Sequence, residues 1–283
     1  MNPKVSIIRC ASYDEAAVAS ALIELLAPLG GIGAYVKPGD RVLLKPNLLT
    51  AKPPEAAVTT HPALVTAVCR LVRNAGGIPS VGDCSGVILV GAETIWENTG
   101  IKAAAEAAGA GMVSLESGGY TIKAGIPVSS AALGYDLIIN LPKFKTHCLT
   151  GISGAVKNLF GLVPGMYKTR LHAENPGRRE FAEMLLKIYG TFVPALNIMD
   201  GITGMEGDGP SAGNPCYVGM LLASDEAIAL DTVMSSLMGI VPGRVVLLEL
   251  AAEQGLPGAN LCEIELFAPA LEGLVLKDFK LPV

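Results

Sequence analysis

The chain has 283 residues, of which 51% are hydrophobic, 17% charged and 5% aromatic, and its formal net charge is -5. This balance supplies ample core and excludes a nucleic-acid partner held by bulk positive charge or by a base-stacking aromatic platform. The longest uncharged run, 209–224, is broken by Pro210, Asn214 and Pro215 and is not a membrane span, and the N-terminus enters a strand pattern with no signal peptide before it.

Val5 to Cys10 reads as a short strand, and Asp14 to Leu26 as a helix whose first turn Asp14 serves. After a turn at Lys37-Pro38-Gly39-Asp40, a strand over Arg41 to Leu44 delivers Lys45, Pro46 and Asn47 at its end. Thr60 and His61 are both candidate caps for the next helix, which Pro62 opens. A strand over Ile78 to Val81 ends in Gly82-Asp83-Cys84-Ser85-Gly86. Helical stretches follow at Glu93 to Asn98 and Ile101 to Ala108, then a strand at Met112 to Leu115. Tyr120 to Val128 alternates around Gly125 and Pro127, as a hairpin arm or edge strand does.

The most informative stretch is Leu137 to Leu162. An apolar strand breaks at Pro142 and releases Lys143, Lys145 and His147, then Gly151, Ser153 and Gly154, then a helical segment carrying Lys157 and Asn158. Strand ends that feed a Gly/Ser turn and a helix build sites in open α/β sheets, and free N–H groups at such a helix start favour an anion. The competing reading is an ordinary connection with solvated lysines.

Beyond it, the polar segment from Tyr167 to Arg179 reads as a loop, and Arg179 to Tyr189 as a helix. A strand from Ala195 to Met199 ends in Asp200 and runs into Gly204-Met205-Glu206-Gly207-Asp208-Gly209-Pro210. Tyr217 to Ala223 is a strand, and Asp225 is the expected cap of a helix running to Met238. Asp231 sits in the apolar run of that helix and needs a partner, for which Lys157 and Lys45 are the candidates. A further helix, Val245 to Gln254, precedes apolar segments at Ile264 to Leu266 and Leu274 to Lys280.

The alternation of strands and helices predicts an α/β fold, a mostly parallel sheet with helices on both faces, with a smaller second lobe over about 120–189. The C-terminal ends of parallel strands share one edge, so Lys45/Asn47, Asp83/Ser85, Lys143/Lys145/His147 and Asp200/Glu206/Asp208 are expected to converge there. Each cluster alone is as well explained by a turn. Together they supply cations for an anionic ligand and carboxylates for a hard cation such as Mg²⁺. His147, beside lysines, is expected to stay neutral as a base or donor. Neither a Walker loop nor a nucleophile elbow is present, and the scattered cysteines form no CxxC pair, so no zinc or cluster site is predicted. Reduced thiols in the cytoplasm are the expectation.

Six segments, VLLKPNLL, TTHP, VGDCSG, NLPKFKTHCLTGISGAVKNLFGLVPG, MDGITGMEGDGP and SDEAIALDTV, occur in this order. Together they resemble the family called domain of unknown function 362, over nearly the whole chain, and the resemblance implies a single family domain spanning 1–283. Its most recognisable part is Lys145, Thr146, His147, Lys157 and Asn158. Many members carry a ferredoxin-like segment with CxxCxxCxxxCP runs after this domain, which implies [4Fe–4S] clusters in them. The present sequence reaches Leu281-Pro282-Val283 with no such run, as a natural short member or a truncated chain would, so the cluster is not carried over to it.

The leading functional expectation is a cytoplasmic enzyme acting on a small phosphorylated or carboxylated ligand. Lys45, Asn47, Ser85, Lys143, Ser153, Lys157 and Asn158 would bind the ligand, and His147 with Lys145 would do the chemistry. Asp83, Asp200, Glu206 and Asp208 would hold a divalent cation. A redox module served by a fused or separate ferredoxin-like electron donor is the alternative that the resemblance adds, and a non-catalytic binding module is the third reading. A homodimer fits the apolar composition.

Overall fold

The computed structural model describes residues 2–85, 91–268 and 271–282. Gly86 of the glycine-containing strand end lies outside them. The described elements are β1 (Lys4–Arg9), α1 (Glu15–Leu26), β2 (Arg41–Pro46), α2 (Pro62–Asn74), β3 (Ile78–Val81), α3 (Ala92–Asn98), α4 (Ile101–Ala107) and β4 (Gly111–Met112). Next come β5 (Tyr120–Lys123), β6 (Ile126–Ser129), β7 (Leu137–Leu141), β8 (Lys143–His147), β9 (Gly151–Ile152), α5 (Ala155–Asn158), α6 (Gly165–Glu174) and α7 (Arg178–Thr191). β10 (Leu196–Glu206), β11 (Asn214–Ser224), α8 (Ala227–Leu237), α9 (Val246–Glu253) and β12 (Glu265–Phe267) complete the order.

The main sheet runs β12-β1-β11-β10-β7-β2-β3-β4, with β8 and β9 branching from β10. It is mostly parallel. β11 is the exception, antiparallel to both β10 and β1, and the short β9 runs antiparallel to β8. β5 and β6 form a separate antiparallel hairpin, with Ala124 and Gly125 at positive φ in its turn.

Side chains alternate between the two faces of the sheet, as the two-residue period of a strand requires. Leu43 of β2 and Leu222 of β11 join one core with α5, α7, α8 and α9. Their neighbours Leu44 and Leu221 join a second core with α1, α2 and α4. Helices therefore cover both faces, and each fully buried Leu contributes about 1.5–3 kcal/mol. Among the described residues no helix is long and apolar enough to cross a membrane.

Asp14 caps α1 by accepting from the backbone N–H groups of Ala16 and Ala17. His61, rather than Thr60, caps α2, its Nδ1 accepting from Ala63 N–H at 3.1 Å. Three local expectations need correction. The cap of α8 is Glu226, which accepts from Ile228 N–H, and Asp225 stands outside it. The polar stretch after Tyr167 is mostly the helix α6, whose Lys168 and Leu171 are buried. Lys143 to His147, expected as polar residues released beyond the end of a strand, form a strand of their own, β8. Pro142 interrupts pairing between β7 and β8, and β10 then pairs with each in turn, Asn197 opposite Asn140 and Asp200 opposite Lys143.

Candidate functional site

The polar ends of β2, β3 and β8 come together above α5 and α6 around a cavity of about 220 Å³. Its wall includes Asn47, Asp83, His147, Lys157, Asn158 and Lys168.

Lys45 and Asp83 form a buried ion pair at 3.0 Å. Lys45 Nζ also donates to the Pro46 carbonyl at 2.9 Å, and Leu48 N–H donates to Asp83 Oδ2 at 2.9 Å. Burial is the main influence on both groups, pulling the lysine down and the carboxyl up, and each partner opposes that shift in the other. Gly161 lies directly against the pair. A Cβ there would overlap the Asp83 carboxylate and come within 2.6 Å of Lys45 Nζ.

Lys145 projects from β8 with its ammonium donating to Asn47 Oδ1 at 2.8 Å, the Val58 carbonyl at 2.7 Å and the Pro210 carbonyl at 3.2 Å. Among the described residues no carboxylate pairs with it. Burial, then the nearby Lys157 and Lys143, hold it well below the usual lysine range. Asn47 passes the contact on, Nδ2 donating to Asn158 Oδ1 at 2.9 Å, and Asn158 Nδ2 donates to Asn140 Oδ1 at 2.8 Å.

His147 accepts at Nδ1 from the N–H groups of Leu149 (3.1 Å) and Thr150 (3.4 Å). That pattern fixes the neutral ring with its proton on Nε2. Burial, followed by Lys157 and Lys145, lowers its pKa to about 2. Of the two roles left open by sequence, base or donor, the geometry makes His147 a donor.

Lys157 is half-buried, enclosed by protein yet reaching the cavity, and no acceptor lies within hydrogen-bonding or ion-pairing distance of its Nζ among the described residues. Burial, then Lys168 and Lys45, bring it down to about 8. Lys168 enters from α6, donating to the carbonyls of Cys84 and Ser85 and lying 5.9 Å from the Phe160 ring centroid. His172 follows on the same face of α6 and borders the cavity, stacked on Phe181 at 4.6 Å. Neither Lys168 nor His172 was among the site candidates expected from sequence. Their i, i+4 spacing was the available signal, since it puts both side chains on one helix face.

The remaining candidates lie elsewhere. Lys143 is bound to Asp200 at 2.7 Å, fully buried. Tyr13 completes this group, its hydroxyl donating to Asp200 at 2.7 Å while accepting from Lys143 at 3.0 Å. Tyr13 stacks on His61 at 3.5 Å, and His61 N–H also donates to Asp200 at 2.8 Å. Ser153 donates to the Thr146 carbonyl at 3.3 Å and borders a different, small cavity. Ser85 borders a neighbouring cavity of about 270 Å³ with Trp96 and Glu116. Glu206, at the far end of β10, is held by Lys280 Nζ at 3.4 Å and Lys280 N–H at 3.0 Å. Asp208 follows in the glycine-rich turn and is not part of the main cavity wall. The structure thus does not gather the four carboxylates expected to hold a cation. Lys45, Lys143 and Lys280 separately engage Asp83, Asp200 and Glu206. Among the described residues no group of three or more His, Cys, Asp or Glu side chains is placed to hold a metal ion.

Asp231 also differs from expectation. Its partners are the N–H groups of Ala155 and Val156 (3.0 Å to the latter), not a lysine. The start of α5, expected to be open to an anion, is occupied from within by this carboxylate. Gly154 permits the approach, with φ +62° and no room for a Cβ, which would fall 2.6 Å from the carboxylate.

A family model described as "Domain of unknown function (DUF362)" matches residues 42–236. A protein of Synechocystis sp. described as thylakoid-associated is 39% identical over 289 residues, an alignment covering 100% of this chain and 88% of the relative.

Proposed function

The chain belongs to the domain-of-unknown-function family DUF362, and from that premise we propose that it is an enzyme acting on a small phosphorylated or carboxylated molecule bound in the main cavity. The observation carrying this reading is Lys157. A half-buried lysine without a counter-ion is costly, and a bound anion offsets the cost. Lys168 borders the same space, with Lys45 and Lys145 behind it. The one carboxylate in the wall among the described residues, Asp83, is already engaged by Lys45 and Leu48 N–H. A negative ligand group is favoured there, and the Nε2–H of His147 and the second N–H of the Asn47 amide supply donors to orient it. This reading requires no divalent cation.

The free thiols agree with a reducing compartment such as the cytoplasm. The description of the Synechocystis relative is the reason to follow the protein in both soluble and membrane fractions.

Isothermal titration with inorganic phosphate, phosphoglycolate and succinate tests the anion reading. Saturable binding to at least one of them, weakened at high ionic strength and in Lys157→Ala, is expected. Binding unaffected by that substitution, or no binding to any of the three, would count against it.

A further inference from the structure

Four of the lysines around the site have their ammonium groups committed. Lys45 meets Asp83 and the Pro46 carbonyl, and Lys143 meets Asp200 and Tyr13. Lys145 donates to Asn47, Val58 and Pro210, and Lys168 to the carbonyls of Cys84 and Ser85. Each of these nitrogens is held as a donor. Lys157 alone of this set has no acceptor among the described residues. The same lack that invites an anion leaves its nitrogen free to lose a proton and present an electron pair to the cavity.

We propose that Lys157 is an imine-forming lysine, whose amine condenses with the carbonyl group of a small 2-oxo acid or phosphorylated aldehyde bound in the main cavity. The inference rests on the anion-binding reading and narrows it to anionic carbonyl compounds. Lysines used in this way are held in desolvated sites or beside a second cation. Lys157 has both, being enclosed by protein and facing Lys168 and Lys45.

The step balances without an oxidant or reductant. The Nζ electron pair forms a bond to the carbonyl carbon, and the C=O π pair moves to oxygen, where the His147 Nε2–H can donate a hydrogen bond. The carbon–oxygen bond then breaks. The oxygen leaves as water with the two hydrogens that the neutral amine carried, and a C=N bond remains. Lys168, with the second N–H of the Asn47 amide, is left to hold the anionic end.

Titratable groups face Lys157 from several elements. They are Lys45 on β2, Asp83 after β3, Lys145 and His147 on β8, Lys168 and His172 on α6, and Asp231 on α8. Asp83 and Asp231 are the carboxylates in this set, and both are engaged by other partners. The fraction of neutral amine, and with it the condensation rate, therefore rises with pH and levels off above about 8.

The test is reductive trapping on the full chain. The protein is incubated separately with glyoxylate, pyruvate and glyceraldehyde 3-phosphate, treated with borohydride and mapped by peptide mass spectrometry. Calorimetric titration with the same probes runs in parallel. Expected is a saturable adduct on Lys157, weighing the probe less a water plus two hydrogens. Lys157→Arg should lose it. Saturable binding with no adduct on Lys157 would overturn the imine proposal and leave the anion reading standing. Adducts spread over surface lysines without saturation would also overturn it. Failure of every probe to bind would overturn both. Mapping the unmutated chain keeps the test valid if the variant folds poorly.

Discussion

Asn47 and Asn158 are joined side chain to side chain, Asn47 Nδ2 donating to Asn158 Oδ1 at 2.9 Å. The bond is one link in a polarised series. Lys145 donates to Asn47, Asn47 to Asn158, Asn158 to Asn140, and Asn140 to Asn197 Oδ1 at 2.9 Å. Asn197 then donates to the Ser224 carbonyl at 3.2 Å. Every amide points the same way, from the site into the sheet, and each buried carbonyl is satisfied by the preceding donor.

Replacing Asn158 with Ala would leave Asn47 Nδ2 and Asn140 Oδ1 without these partners. The expected loss is about 2–6 kcal/mol, from two buried polar groups at roughly 1–3 kcal/mol each. Urea denaturation measures it. A loss below about 0.5 kcal/mol would mean that the series adds nothing to stability.

Lys45 and Asp83 should behave as a unit. Asp83→Asn leaves a buried ammonium unpaired and is expected to cost about 3–5 kcal/mol, whereas Lys45→Met with Asp83→Leu should cost less than either single change. A double-mutant cycle in denaturant decides. Additive losses would refute the coupling. Gly161→Ala, which pushes a methyl into the same pair, should cost about 1–3 kcal/mol and weaken anion binding.

Lys157→Ala should leave the chain at least as stable as the parent, because no hydrogen bond or ion pair is lost and an uncompensated charge is removed. Binding of a non-reacting anion such as phosphoglycolate should fall about 10-fold or more, at about 1.4 kcal/mol per tenfold. In the unmutated chain that affinity should decline as pH rises through about 8, where Lys157 loses its charge. Trapping of a carbonyl probe should increase over the same interval. A decline in both assays would contradict the imine role, and a rise in both would contradict the anion role.

Burial raises the Asp231 carboxyl from 3.8 to about 7, against the two backbone N–H groups that favour its charge. A carboxyl whose pKa rises on folding holds its proton more tightly in the folded chain. Its contribution to stability is therefore complete below pH 3.8 and is lost as pH rises through about 7. Relative to Asp231→Asn, the parent should lose roughly 3–4 kcal/mol over that window, at about 1.4 kcal/mol per pKa unit. Denaturation at pH 4, 5.5 and 7 checks the sign, and a parent that gains stability relative to the variant would reverse it.

Tyr13→Phe removes the hydroxyl that joins Lys143 and Asp200. A loss of about 1.5–3 kcal/mol is expected, the range for a hydrogen bond to a charged group, with anion affinity unchanged. A large effect on affinity would bring Lys143 back into the ligand site.

The alternation of strands and helices was legible because core-facing runs such as Val42-Leu43-Leu44 and Leu137-Ile138-Ile139 stand out from their surroundings. So was the grouping of Lys45, Asn47, Asp83, His147 and Lys157, since parallel strands share an edge. β8 was hidden by its polarity. Lys143-Phe144-Lys145-Thr146-His147 alternates as a strand does, but buried lysines are so rare that the segment read as polar residues released beyond a strand end rather than as a strand of its own. Lys168 on α6 was obscured for the same reason. The partner of Asp231 could not be read from composition, because backbone N–H groups leave no mark in sequence.

β10 is the common neighbour of β7 and β8, and its pairing with them has a consequence for the order of assembly. Lys143 finds Asp200 across 57 positions of chain, and Ala155 finds Asp231 across 76. During synthesis the lysines and histidine of β8 emerge well before the strand that aligns them and the carboxylate that anchors the turn behind them. Closing such long loops is slow and precedes any gain from the contacts. The cavity is therefore a late product of folding, and a nascent chain ending before β10 carries most of its wall residues without the means to arrange them.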